Sequence, residues 1–169
     1  LASQDHSVFS GLPGILLGLM RLRLVQEEAA LSAQVAAAVE SLARRYMADP
    51  EFIVVTRANR GNDPRMQSTG LFYGNLGLAW LFNTALHETG FRREDHLLEQ
   101  ACTTALVREL ACYIEADGRL LADQGTRGLS YLASGSAGFG VLLPQVREEL
   151  WPEGLRSSLP SLHKACDAP

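Results

Sequence analysis

One short pattern, present three times, constrains this chain more than any other feature. G-x-x-G followed by an almost wholly apolar run occurs as Gly11-Leu12-Pro13-Gly14, Gly74-Asn75-Leu76-Gly77 and Gly135-Ser136-Ala137-Gly138. The second glycines, Gly14, Gly77 and Gly138, stand 63 and 61 residues apart. A period of that size marks a repeated supersecondary unit. The units fall approximately at 9–68, 69–130 and 131–169.

The apolar run after each glycine pair reads as helix. The stretch from Asn75 to His87 holds no proline and no glycine beyond Gly77, and Thr89-Gly90 offers a C-terminal cap. These first helices are apolar on nearly every face, so burial on all sides is expected. The second helix of each unit has one wet face. From Leu31, apolar residues recur at Val35, Ala38, Val39, Leu42 and Tyr46. From Leu98 they recur at Ala101, Cys102, Ala105, Leu106 and Cys112, with Glu99, Arg108 and Glu109 between. Leu150 to Cys166 forms a third case, interrupted by Pro152, Gly154 and Pro160.

A buried helix paired with an amphipathic one suits concentric layers. The expected fold is all-α: an α/α toroid of helical hairpins with G-x-x-G inner-helix starts, here a partial ring of about three hairpins. A straight α-solenoid is the alternative, but it would expose a face of both helices. The stretches Ala48 to Thr69 and Asp117 to Ser130 are rich in turn formers, the latter holding Asp117-Gly118. Both lead into a glycine motif, so both are expected as loops at one end of the ring.

Composition narrows the function classes. The net charge of −4 and scattered Lys and Arg give no footprint for nucleic acid. No apolar run is long enough for a membrane span. Cys102, Cys112 and Cys166 are an odd, sparse set that suits a reducing, cytoplasmic compartment. Cys102 and Cys112 are expected within one helix, about 15 Å apart along its axis and so filling core rather than bridging. The first residues lack signal-peptide order. The chain is expected to be part of a longer protein, and an open ring to associate through bare inner-helix surface.

Glycine at a helix start permits a sharp turn and a close backbone approach, and free helix N–H groups there can face a ligand. Paired G-x-x-G motifs at inner-helix starts resemble the lanthionine synthetase C-like cyclases. The segment Leu129-Ser130-Tyr131-Leu132-Ala133-Ser134-Gly135-Ser136-Ala137-Gly138-Phe139-Gly140-Val141-Leu142 is similar to the corresponding motif of class III lanthipeptide synthetases, the kinase–cyclase fusions. Asp117-Gly118-Arg119-Leu120, Gln124-Gly125-Thr126-Arg127 and Thr69-Gly70-Leu71-Phe72-Tyr73-Gly74 fit the same pattern.

The resemblance implies a cyclase domain that adds a Cys thiol of a precursor peptide to a dehydroalanine or dehydrobutyrine, closing a thioether ring. The implied partners are that precursor peptide and linked kinase and lyase domains, with a nucleoside triphosphate needed only by the kinase. The addition needs a thiolate and a proton donor for the enolate. Zinc-dependent members hold the thiol on zinc, yet their first Cys ligand falls here at Ala133, and Tyr73 replaces a His often found before the second motif. Both departures imply a zinc-free member, with no cofactor in this domain.

Candidate catalytic residues are Tyr73, Arg127 and Tyr131, and candidate substrate-binding residues are Gly74, Asn75, Gly135 and Ser136. The alternative reading is a catalytically degenerate toroid that binds the precursor for the linked domains. An unrelated toroid hydrolase or terpene-type cyclase would place carboxylates at the inner-helix starts, where Pro13, Asn75 and Ser136 stand instead. His163 and Cys166, three apart, could share a metal only with further ligands.

Overall fold

Each glycine pair opens a helix, and each such helix has a second one packed against it. The computed structural model describes residues 5–26, 29–50, 52, 54, 68–88, 96–123 and 128–167. The helices are α1 (Leu12–Gln26), α2 (Ala29–Ala48), α3 (Gly70–Tyr73), α4 (Asn75–His87), α5 (Leu97–Leu110), α6 (Ala137–Leu142) and α7 (Glu153–Cys166). Two 3-10 turns, Leu143–Gln145 and Glu148–Leu150, join α6 to α7. The structure is mostly helical, as the repeat pattern leads one to expect.

The helices form two rows. α1, α4 and α6 lie side by side in one; α2, α5 and α7 form the other; and the pairs α1–α2, α4–α5 and α6–α7 join the rows. The core fills the space between, with Met20, Val39, Leu42, Tyr46, Leu76, Phe82, Leu106, Phe139, Leu142 and Leu162 almost fully enclosed. Burying one such side chain contributes about 1.5–3 kcal/mol, so this seam dominates the stability of the fold.

The all-round burial expected of the first-row helices holds only for α4. Its Leu76, Leu78, Ala79, Leu81, Phe82 and Ala85 are all inaccessible. α1 exposes Ile15 and Leu22, and α6 exposes Val141. The reason is position: α4 has a neighbour on each side in its row, whereas α1 and α6 have one each among the described residues.

Asp117 to Ser130 is not a plain loop. Tyr113–Ala116 (β1), Arg119–Asp123 (β2) and Gly128–Leu129 (β3) form an antiparallel sheet in the order β1-β2-β3. Ala116 pairs with Arg119, leaving Asp117-Gly118 as a two-residue turn with both residues at positive φ. That is the Asp-Gly hairpin turn whose twist suits antiparallel strands. α7 covers β2, and the Lys164 ammonium donates to the Asp117 carbonyl. The sheet also shortens α5, so Cys112 sits in the turn after the helix rather than within it. In the third unit α7 runs through Pro160, because Leu155, Leu162 and Ala165 anchor it to the core while Pro160 itself faces solvent.

Candidate functional site

The three glycine motifs meet along one line. Val8 and Phe9 donate their N–H groups to the Phe72 carbonyl at 3.0 and 3.2 Å. Leu71 and Phe72 in turn donate to the carbonyls of Leu132 and Ala133, at 3.4 and 3.1 Å. The Thr69 hydroxyl adds a 2.7 Å bond to the Ser134 carbonyl. Backbone bonds therefore stitch motif one to motif two and motif two to motif three.

Glycine is what lets the backbones come this close. A Cβ on Gly14 would lie 1.9 Å from the Val8 carbonyl oxygen, and one on Gly77 would lie 2.6 Å from the Val8 side chain. A Cβ on Gly138 would meet the Leu71 nitrogen at 3.0 Å. The second glycine of each motif thus receives the lead-in of its own or an adjoining motif, a direct reason for the recurrence of G-x-x-G.

Aromatic and apolar side chains line the lip of this joint. Phe9 is 68% exposed, Tyr131 67% and Leu132 41%. The Tyr73 ring packs on Phe9, with centroids 5.6 Å apart, and Phe72 lies 6.5 Å from Phe9. Large apolar side chains gathered in the open are the ordinary mark of a contact surface. Tyr73 borders the joint beside Phe9 and Phe72, and Tyr131 borders it next to Leu132, whose carbonyl accepts from Leu71. Arg127 lies outside the described residues.

The candidate binding residues sit deeper. Gly74, Asn75, Gly135 and Ser136 are buried. The Asn75 side-chain oxygen accepts a 2.9 Å bond from the Tyr46 hydroxyl of α2. Arg108 holds Tyr46 from the other side, with its guanidinium carbon 4.3 Å from the ring centroid and a bond to the Tyr46 carbonyl. Ser136 bonds the Leu129 carbonyl at 3.4 Å. These groups build the turns beneath the lip.

Two carboxylates were not expected here. Glu109 reads in the sequence as part of the wet face of its helix, yet it is inaccessible. Its Oε1 accepts from the Gly70 N–H at 2.5 Å and the Tyr113 hydroxyl at 3.0 Å. Its Oε2 accepts from the N–H groups of Asn75 and Leu76 at 2.7 and 3.3 Å. The first amides of α4 are thus taken by a side chain of the chain itself rather than left open for a ligand. Burial pushes the Glu109 carboxyl up to about 7, against the downward pull of the hydrogen bonds from Gly70, Tyr113, Asn75 and Leu76.

Asp5 serves the first motif in a similar way. It is buried, and its carboxylate accepts from the Ser7 N–H at 2.9 Å and from the hydroxyls of Ser7 and Ser10 at 2.7 and 2.8 Å. Carboxylates do stand at two first-row helix starts, then, but they come from outside the motifs and are sealed in. Their spacing offers a clue for Glu109 alone: it continues the series Leu98, Ala101, Cys102, Ala105 and Leu106 at helical intervals.

Metal ligation has no gathered donor set: among the described residues, no three His, Cys, Asp or Glu side chains converge to hold an ion. Ala133, at the position of a zinc-ligand Cys in the resembling family, contributes its carbonyl to the joint. His163 and Cys166 both lie on the exposed side of α7. Cys102, Cys112 and Cys166 are thiols rather than disulfides, and burial pushes Cys112 up to about 12, away from thiolate chemistry. A cavity of about 240 Å³ lies at the other end of the second hairpin, beside an exposed cluster in which Glu99 bridges His96 and Arg147. Exposed pairs of this kind contribute little to stability. No described helix is long and apolar enough to cross a membrane.

Comparison with known proteins gives a partial likeness. The chain is 41% identical over 75 residues to a Streptomyces coelicolor protein named "Probable SapB synthase", a stretch covering 44% of this chain and 8% of that protein. No family model matches the chain.

Proposed function

We propose that this chain is part of a zinc-independent cyclase domain of a lanthipeptide synthetase, most like class III, and that the joined mouths of the three motifs hold the precursor peptide during ring closure. The observation that carries the reading is the stitched line of G-x-x-G turns with Phe9, Phe72, Tyr73, Tyr131 and Leu132 at its lip. An extended peptide can lie across such a lip and bury its apolar side chains there. The partial likeness to a synthase supports the same direction, and two rows of paired helices suit an α/α toroid.

In this reading Tyr73 and Tyr131 are the groups beside the reacting atoms. The peptide thiolate adds to the β-carbon of the dehydro residue, forming the C–S bond and an enolate, and a phenol donates the proton that quenches it. Arg127 would offset the charge of thiolate or enolate. Asn75, Gly74, Gly135 and Ser136 shape the turns that present these groups.

The test uses the full-length protein, its precursor peptide and a nucleoside triphosphate, with and without a strong zinc chelator. Ring closure adds no mass, so free thiols are alkylated afterwards and counted by mass spectrometry. The expected result is dehydrated peptide that loses its alkylatable thiols even with chelator, while a matched protein lacking the domain leaves them free. Dehydration with thiols intact, or equal closure without the domain, would assign the chain to holding the peptide instead.

A further inference from the structure

The second mouth is fixed from behind by a side chain that the proposed chemistry does not use. Glu109 projects from α5 between the two rows and gathers four donors from three elements: Gly70 of α3, Asn75 and Leu76 of α4, and Tyr113 of β1. Gly70 is the residue at positive φ from which the chain turns toward the third motif. The next two residues carry the bonds to Leu132 and Ala133, and Tyr73 closes the same short helix. A Cβ on Gly74 would meet Glu109 Oε2 at 2.6 Å, so the motif's first glycine makes room for the carboxylate.

We infer that Glu109 is a positioning residue: it sets the Gly70–Leu76 turn, and through that turn the place of Tyr73 and the joint to the third motif, without touching substrate. Its consequence for ring closure rests on the function proposed above; its hold on the turn does not.

The geometry accommodates two protonation states. As a carboxylate, Glu109 accepts from all four donors. As an acid it needs an acceptor, and the Tyr113 hydroxyl can turn from donor to acceptor to supply one. The ionisable groups that sense its charge are Tyr46 from α2, Tyr113 from β1 and Cys112 from the turn after α5, all pushed up by burial. Arg108 is the adjacent cation, and it turns away to Tyr46 and the Asp49 carbonyl. No described cation contacts the buried charge, and the carboxyl sits near 7 instead of its ordinary 4.5. A group held above its free value favours the closed turn when protonated and weights the turn toward opening as pH rises.

The test is hydrogen exchange read by mass spectrometry on the full-length protein between pH 5 and 8.5, corrected for intrinsic exchange, with ring closure measured in parallel. In the wild type, protection of the 70–76 amides relative to those of α5 is expected to fall by up to about tenfold per pH unit, levelling above about pH 7. In Glu109→Gln that slope disappears. In Tyr113→Phe the levelling point moves to higher pH, because the lost hydroxyl bond was pulling the carboxyl down. A Glu109→Gln protein whose 70–76 amides exchange as in the wild type at every pH overturns the inference. Should Glu109→Gln fail to fold, an unmoved levelling point in Tyr113→Phe does the same. Exchange that behaves as expected while ring closure ignores it leaves Glu109 as the holder of the turn and removes the peptide reading of the mouth.

Discussion

Replacing Glu109 with alanine is expected to cost about 3–5 kcal/mol at pH 5, the largest effect of any single exchange on the polar framework. The change strands the N–H groups of Gly70, Asn75 and Leu76 and the Tyr113 hydroxyl in a site that solvent does not reach. The penalty depends on pH with a definite sign. The folded carboxyl titrates at about 7 and the free one near 4.5. Between these values the folded protein holds a proton that the unfolded chain has lost, so wild-type stability falls as pH rises, by up to about 3 kcal/mol in all. The alanine protein lacks this dependence. Urea unfolding at pH 5 and pH 8 should therefore show the gap between the two proteins narrowing at the higher pH. A gap that widens would mean that the hydrogen bonds outweigh burial and that Glu109 is charged throughout.

Gly70→Ala is expected to destabilise by about 3 kcal/mol or more. Gly70 has φ +86°, and an added Cβ would lie 2.5 Å from the Ser134 Cα and 2.6 Å from the Ala133 carbonyl oxygen. Both obstacles are backbone, so neither can rotate aside. Gly18→Ala should act in the opposite sense. Gly18 lies on the exposed side of α1, with nothing within 4 Å of its notional Cβ, and alanine there should add about 0.5–1 kcal/mol. Thermal unfolding of the two variants beside the wild type checks both signs at once. Equal effects would show that the glycines serve only chain flexibility and that the motifs are not pressed together.

The parts of the fold legible in the sequence are those written in local periodicity. The glycine spacing marks the starts of α1, α4 and α6, and the apolar stripes mark α2 and α5. The β1–β2 hairpin is half legible. Asp117-Gly118 announces a turn, but the alternation of Arg119 to Asp123 beside it shows as a strand only once Leu120 and Ala122 are seen buried. Glu109 is hidden by its type, since a glutamate among apolar residues on a helix reads as solvent-facing until four donors are found around it. Asn75 stands out by its place in the motif, but its structural role is hidden by distance. Its partner Tyr46 lies 29 positions earlier on another helix, and no pattern within one unit points to it. The residues at the lip are legible by place, since Phe9, Phe72, Tyr73 and Tyr131 all stand just before a motif, but nothing local marks Phe9 as the most exposed aromatic described.

On the proposed function, the joined motif mouths form one peptide-binding surface. The most direct test is photo-crosslinking of the full-length protein to a precursor peptide carrying a photoreactive phenylalanine, with the adducts located by mass spectrometry. Adducts are expected to cluster at Phe9, Phe72-Tyr73 and Tyr131-Leu132, and to be competed away by unlabelled peptide. Adducts concentrated at the opposite end of the second hairpin, around His87, His96 and Arg147, with the lip unlabelled, would contradict that reading.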